Sequence, residues 1–433
     1  MSFEWRPFTE LLAAIVDNRG RTCPVGDVGM PLIATNCIDD GSLYPRYETS
    51  RFVSEETYRT WFRGHPLPGD ILFVCKGSPG RTNWCPDPVD FCIAQDMVAV
   101  RADPAKISPK YLLAALRSSL VQSQIGNLHV GTMIPHFKKG DFGKLRIPVP
   151  HASAQVEIGD FYFDVSSRIA LLRETNATLE AIAQALFKSW FVDFDPVHAK
   201  SQGLAPAGMD EATAALFPDG FEGSAPGQMP KGWRAGALSD CAWLNAYSWS
   251  TRTHPERVWY LDLANVKNND VASMQDFAFE GAPSRARRAL RDGDTIVGTV
   301  RPGNRSFAYI DNPIAGLTAS TGFAVLSPKS PEFTAFTYLA STQNVSIENL
   351  AHIADGGAYP AVRPEVVSAL PCVLPASDVL RRFDATARPM LQKIASNQRQ
   401  AQALSALRDA VLPRLISGQL RLPEVVEAEA ALA

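Results

Sequence analysis

A chain of 433 residues has the length of two or three domains, and 46% hydrophobic with 20% charged side chains is the composition of a packed globular protein. A formal net charge of −3 and a pI near 6.2 exclude binding that rests on phosphate neutralisation alone, though not readout of base edges. The opening MSFEWRPF carries Glu4 and no apolar signal region. No later window approaches ~18 uninterrupted apolar residues, so a cytoplasmic chain without a membrane span is expected. Seven cysteines, none in a CxxC pair, suit reduced buried thiols. Seven histidines show no ligand spacing, His129 and His136 included, and no metal is expected.

Residues 1–150 alternate short apolar runs with turn signals, the pattern of a mixed domain with several short strands. MPLIATNCI, from Met30, reads as a strand leading into the turn Asp39, Asp40, Gly41; a helix is expected near Ser54 to Phe62. A strand from Ile71 to Val74 runs into a Gly/Pro loop carrying Lys76 and Arg81, and MVAV, from Met97, is another strand. SPKYLLAALRSSL, Ser108 to Leu120, has a Ser-Pro start and helical spacing. GNLHVGTMIPHFKKGDFGKLRIPVP then reads as a flexible loop closing the domain.

A long helix follows, over residues 151–192. Counting back by sevens from Leu186 meets Leu179, Leu172, Val165 and Ile158, with Phe161, Ile169, Ile182 and Trp190 widening the stripe. Asp193 and Asp195 just past its end read as an acidic turn, not a general acid and base. Residues 193–230, rich in Pro, Gly and acidic side chains, read as a linker laid over the surface. Residues 231–375 form a second domain and 376–418 a second long helix, before a tail over 419–433. Displaced by 225 from the first stripe, Phe383, Met390, Asn397, Leu404 and Val411 repeat it, with Ile394, Leu407 and Leu415 beside them. Either each stripe covers its own domain or the two helices pack on each other. The shared seven-residue spacing favours the pair, with Leu172, Leu179, Ile182, Leu186 and Trp190 facing Met390, Asn397, Leu404, Leu407 and Val411. A polar Asn397 on such a seam fixes register and partner at some cost in stability.

The second half repeats the first. Asn36 answers to Asn265, Gly69-Asp70 to Gly293-Asp294, and Pro79-Gly80 to Pro302-Gly303. Gly131, Pro135, Leu145 and Pro150 answer to Gly356, Pro360, Leu370 and Pro375. Loop glycines and prolines kept at fixed spacing among freely differing residues imply one backbone plan carrying two surfaces.

Acidity is concentrated in residues 151–230, with 11 acidic against 4 basic side chains, whereas residues 231–375 carry 13 of each. Local basic clusters stand at Lys138, Lys139, Lys144 and Arg146, and at Arg285, Arg287, Arg288 and Arg291. Arg81, Arg301 and Arg305 in Pro/Gly loops have the donors to read guanine edges and Asn304 those to pair with adenine, and Lys76, Lys138 and Lys139 are further candidates for contact with DNA. The plain alternative is a set of solvated loop side chains. No phosphate loop, adenine-methyltransferase pair, nuclease core or GxSxG elbow is present, so no catalytic residue is assigned.

ETNATLEAIAQALFKSWFVDFDPVHAK, followed by GMDEATAALFPDG and PKGWR, resembles the specificity subunit of type I restriction-modification systems, and LSALRDAVLPRLISGQL resembles the end of that family's second helix. The resemblance covers the whole chain. It implies an α+β fold with two similar α/β target recognition domains, each followed by a long helix, the helices pairing as an antiparallel coiled coil that acts as a ruler. Each domain would read half of a split site in double-stranded DNA. The chain would hold no cofactor and do no chemistry. Methylation subunits using S-adenosylmethionine and restriction subunits using ATP and Mg2+ would dock on it. A coiled-coil scaffold without DNA specificity is the alternative reading.

Overall fold

The computed structural model describes residues 3–18, 22–47, 49–128, 134–224, 227–357 and 359–421. The chain divides into two units: the described residues up to Leu172 together with those from Gln400 onward, and Arg173–Arg399.

In the first unit Ile71–Val74 is buried along its whole length, as a strand must be when both faces meet apolar layers. It sits third in an antiparallel sheet ordered Leu12–Val16, Met97–Ala102, Ile71–Val74, Thr82–Trp84. One face, through Ile71, Phe73, Val98 and Val100, packs on Tyr111, Leu112 and Leu116 of the helix Pro109–Arg117, and on Leu412, Leu415 and Ile416 near the chain's end. The other, through Leu72, Val74 and Ala99, meets Ile33, Ile38 and Phe91. Met30–Ile33 pairs with Phe52–Val53 and, in parallel, with Cys92–Ile93. Glu4–Pro7 closes on Arg146–Val149.

The second unit repeats this order: Ala242–Leu244, Phe323–Pro328, Thr295–Gly298, Phe307–Tyr309. Arg234–Ala237 closes on Pro371–Leu374, and the parallel pair becomes Arg257–Leu261 with Leu317–Ser320. A strand at Ala286–Ala289 and a hairpin, Val266–Lys267 with Asp270–Val271, have no counterpart among the described residues of the first unit. Asn268 and Asn269, at φ +48° and +62°, form the tip of that hairpin, as a two-residue turn with two positive φ angles requires.

Four expectations are corrected. The helix expected over Ser108 to Leu120 is two, Pro109–Arg117 and Ser119–Leu128, because Ser118 is extended and its hydroxyl donates to Ala115 O at 2.6 Å. The strand expected over MPLIATNCI ends at Ile33, and Thr35–Cys37 is a 3-10 turn. The expected linker has structure of its own: Asp195–Ser201 and Glu211–Ala215 are helical, and Phe221–Ser224 pairs with Gly227–Pro230. It also contributes core, since Val197, Phe217 and Met229 are buried among Trp190, Phe191 and Trp233. Finally, the closing segment expected to be flexible is tied down from Pro135 onward: Pro135 O accepts from Gly77 N–H, and Phe137 N–H donates to Cys75 O. His129 and Gly131 lie outside the described residues.

The long helices span Ala152–Phe191 and Ser377–Ile416. Gly159 lets the first approach Pro109–Arg117, since a Cβ there would stand 2.7 Å from Tyr111 N. In the first unit Val165, Ile169 and Leu172 pack with Ala401 and Leu404, and Leu407 and Val411 join the domain core. In the second unit Asn397 Nδ2 donates to Asn176 Oδ1 at 2.8 Å, and Asn176 Nδ2 donates to Ile394 O at 3.2 Å. Farther along, Phe187, Trp190 and Phe191 meet Phe383 at ring separations of 6.0, 5.6 and 4.8 Å. Rising numbers on one helix meet falling numbers on the other, so the pair is antiparallel.

The seam differs from the expected stripe beyond Leu172. Ile182 is 47% exposed and faces away, while Ala183 and Phe187 are buried. Leu179, Leu186 and Met390 sit half-buried against the second unit's core. The buried row is Tyr162, Ile169, Ala183 and Trp190, with the half-buried Asn176 between Ile169 and Ala183, beside Ile158, Val165 and Leu172. A straight helix drifts by ~20° per heptad against a strict seven-residue repeat. The aromatic cluster past Leu172 adds a second surface to be covered, and together these turn Ile182 outward.

Candidate nucleic-acid interface

The loops that follow the central strands lie at matching places in the two units. After Val74, the N–H groups of Cys75 and Lys76 donate to Asp96 O at 2.9 and 3.2 Å, and Lys76 bridges to His136. Gly80, at φ +94°, lies against the helix Ser119–Leu128, where a Cβ would come within 2.8 Å of Gln122 Oε1; Gln122 Nε2 donates to Gly80 O at 2.9 Å. The loop is thus pinned from two sides. Lys76 and Arg81 are exposed on it, and Lys138 and Lys139 are exposed just beyond the segment it pairs with. The structure therefore gathers all four candidates of the first unit into one loop cluster. Lys139 is ion-paired with Asp17. Arg81 has an acidic neighbour: its charge acts on Asp40, whose carboxyl burial pushes up. Asp40 Oδ1 accepts from Thr82 N–H at 2.9 Å.

In the second unit the corresponding bridge joins Val300 to Ala361, and Arg301 N–H donates to Pro360 O at 2.7 Å. Arg301 therefore stands where Gly77 stands. Arg305, at φ +60°, stands where Gly80 stands, so the loop is one residue longer and the expected match of Pro79-Gly80 to Pro302-Gly303 is shifted. Two non-glycine residues in the left-handed region flank the 3-10 turn Pro302–Asn304, strain of the kind that collects at binding loops. Asn304 is exposed at the tip.

Arg301 and Arg305 differ in their surroundings. The Arg301 guanidinium lies 4.8 Å from the Tyr359 ring centroid. Arg305 is half-buried, donates from Nε to Asn268 Oδ1 at 2.6 Å and lies over Phe307 at 5.3 Å. Asn268 N–H in turn donates to Arg305 O at 2.9 Å, so the hairpin buttresses the loop. Behind it, Glu180 on the first long helix accepts from Tyr338 at 3.0 Å, Gln184 at 3.1 Å and Asn269 at 3.4 Å. Burial pushes its carboxyl up, and Arg305 is among the groups that pull it back down.

The counterpart in the first unit is cationic. Arg117 donates to Tyr162 at 3.1 Å and to Ser42 O at 2.7 Å, and the buried Arg408 lies over the Tyr162 ring. The basic run near residue 288 is largely engaged locally: Arg285 pairs with Asp262 at 3.0 Å, Arg287 lies over Phe279 and Arg291 over Tyr247. Sequence reasoning missed Tyr359, Asn268 and Glu180. KNND between two short apolar runs was the available signal for Asn268, whereas nothing in the sequence marks Glu180 as facing a domain instead of solvent. Asp193 is ion-paired with Lys188 and Asp195 opens a helix. Among the described residues no cluster of His, Cys, Asp or Glu could hold a metal, and no helix is long and apolar enough to cross a membrane.

Comparison with known proteins agrees with this architecture. A family model for the type I restriction modification DNA specificity domain matches residues 29–181. The chain is 23% identical over 402 residues to the type I restriction enzyme HindI specificity subunit of Haemophilus influenzae, covering 81% of this chain and 86% of that one. It is 24% identical over 327 residues to the MjaIX specificity subunit of Methanocaldococcus jannaschii, covering 73% and 70%. The crystal structure of a type I restriction-modification S subunit from M. genitalium superposes with a TM-score of 0.56 at 16% identity, over 95% of this chain and 96% of that one. That likeness establishes a shared fold.

Proposed function

We propose that the chain is a specificity subunit of a type I restriction-modification system, as its similarity to such subunits supports, and that it reads a bipartite DNA target, one half-site per unit. The observation that carries this reading is the pair of matching loops. Each is anchored on the same central strand and braced by the same backbone bond, from Gly77 N–H to Pro135 O or from Arg301 N–H to Pro360 O, yet each presents different side chains. A repeat kept only for stability would not need two surfaces. Lys76, Lys138 and Lys139 suit phosphate contacts, which position a protein on the duplex; Arg81, Arg301 and Asn304 suit base edges, which specify sequence. Arg305 we assign to holding the loop, since its guanidinium is already engaged by Asn268 and Phe307.

The chain is the non-catalytic member of its complex. It docks methylation subunits, which bring S-adenosylmethionine and modify adenine, and restriction subunits, which bring ATP and Mg2+. The paired long helices are the ruler that sets the spacer between half-sites, and the assembly works in the cytoplasm. A scaffold without DNA specificity is the competing reading. The test is co-expression with the methylation subunits, followed by base-resolution mapping of adenine methylation. A split consensus with a constant spacer is expected. Methylation without a consensus, in a complex that still assembles, would leave the scaffold.

A further inference from the structure

Among the described residues no aromatic side chain is more exposed than Tyr359, at 71%. A ring left in water forgoes the burial that draws most aromatic side chains into a core or an interface. Tyr359 is nonetheless held firmly. Its N–H donates to Gly356 O at 2.9 Å, and Asp355 and Ala361 exchange backbone bonds at 3.1 and 2.7 Å. Val362 N–H donates to Thr299 O at 2.9 Å, and Arg301 N–H to Pro360 O. Gly356, at φ +122°, makes the turn possible, because a Cβ there would meet Tyr359 O at 2.8 Å. The turn thus fixes the Tyr359 backbone, with its ring in solvent, beside Arg301, whose own backbone lies in the left-handed region at φ +47°.

Over that ring lies the Arg301 guanidinium, 4.8 Å from the centroid. A guanidinium that meets a ring with its face keeps its N–H donors pointing outward in the plane. A planar fork oriented before binding loses less freedom when it forms two parallel hydrogen bonds. Guanine is the base whose major-groove edge offers two acceptors, O6 and N7, to such a fork. We propose that Tyr359 is a positioning residue: its ring holds Arg301 for a two-donor contact with a guanine in the half-site read by the second unit. This rests on the DNA-recognition reading and adds one base and two residues to it.

The first unit lacks the device. Ile134, 57% exposed, precedes Pro135 as Tyr359 precedes Pro360, and Gly77 stands where Arg301 does. Nothing at that place in the first unit can donate two side-chain hydrogen bonds, so this Tyr–Arg contact belongs to the second unit alone.

The experiment uses the full chain with its methylation subunits and maps adenine methylation in the wild type and in four variants. Arg301→Ala should relax preference for guanine at one position of one half-site by roughly ten- to a hundredfold. Tyr359→Ala should relax the same position by about two- to fivefold, the worth of an exposed cation–π contact. Tyr359→Leu, apolar but without a π face, should behave like Tyr359→Ala, so the reading survives if one of the two fails to assemble. Tyr359→Phe should keep the wild-type preference. The inference is overturned if Tyr359→Ala and Tyr359→Leu leave the consensus unchanged, relax a different position from Arg301→Ala, or weaken all positions alike. It is also overturned if Tyr359→Phe is as damaging as Tyr359→Ala. A wild type with no split consensus overturns the recognition reading and this inference with it; an intact wild-type consensus confines the failure to Tyr359.

Discussion

Asp70 and Asp294 occupy the same corner of the two units, and they are held differently. Each accepts the backbone N–H three residues earlier, from Leu67 and from Arg291, both at 2.8 Å. Arg101 meets Asp70 with two further donors at 2.8 and 2.9 Å, but the matching register position in the second unit is Ser327. Without that cation, burial pushes the Asp294 carboxyl up to about 6 from 3.8. The folded chain then binds this proton more tightly than the unfolded chain does. The stability from this group is full below about pH 4, falls as pH rises to about 6, and stays lost above it, at a cost of about 3 kcal/mol. Asp294→Asn should remove that slope and raise stability at neutral pH, as thermal unfolding from pH 4 to 8 would register; an unchanged slope would clear Asp294. On the helix seam, Asn397 is 2% exposed and paired with Asn176. Asn397→Leu leaves the Asn176 carbonyl without that donor and should cost about 1–3 kcal/mol. Replacing both by Leu should recover or exceed wild-type stability while loosening register. If the single variant melted above wild type, the pair would not be the constraint it resembles. Asn397 was legible as a polar interruption of an apolar stripe; its partner was not, because Asn176 lies off the stripe counted back from Leu186.

At the scale of elements the two long helices carry the prediction about spacing. A four-residue insertion between Asn176 and Leu179 lengthens the first helix by ~6 Å at 1.5 Å per residue, against ~3.4 Å per base-pair step. The spacer should grow by about one or two base pairs with both half-sites unchanged. Four residues turn the helix by ~400°, close to a whole turn, whereas two turn it by ~200° and would put Ala183, Phe187 and Trp190 on the wrong face. Two should therefore abolish assembly. Methylation mapping distinguishes these outcomes, and an unchanged spacer in a four-residue variant that still methylates would show that the helices are not the ruler. Helix existence was readable because forty residues of periodic pattern average out local noise. The facing of Ile182 was not, since it depends on whether neighbouring turns meet one apolar partner or two.

For the whole molecule, the repeat predicts independence. Exchanging residues 1–150 for the matching domain of a relative should change one half of the methylated target and keep the other. The structure sharpens where to cut. Arg117 is bonded to Tyr162, Ser108 N–H donates to Gln155 Oε1 at 2.8 Å, and Gly159 touches Tyr111. A boundary at 150 divides these contacts, so an exchange that carries residues 151–172 as well should assemble better, by roughly the 1–3 kcal/mol of each buried polar contact left unpaired. Thermal unfolding of the two chimaeras compares them, and methylation mapping reads the half-sites. If both half-sites changed, the units would not read independently.

The sequence by itself determined the class of the molecule: two domains on one plan, two long helices and no recognisable catalytic motif. These depend on period, spacing and motif, which are written residue by residue. It also marked the loops, because Gly77, Gly80 and Pro302 punctuate the chain where the central strands end. Only the tertiary structure decided what those loops present. Arg301 and Arg305 are four residues apart and chemically identical, yet one lies over an exposed ring and the other is bonded to a hairpin. Residues 193–230 read as linker, yet they supply Val197, Phe217 and Met229 to a core. In both cases the partner comes from a distant part of the chain, Tyr359 and Asn268 in one, and in the other Phe383, which shares that core, with Arg382, which pairs with Asp210. Contacts of that range are set by how elements pack, and no local pattern records them.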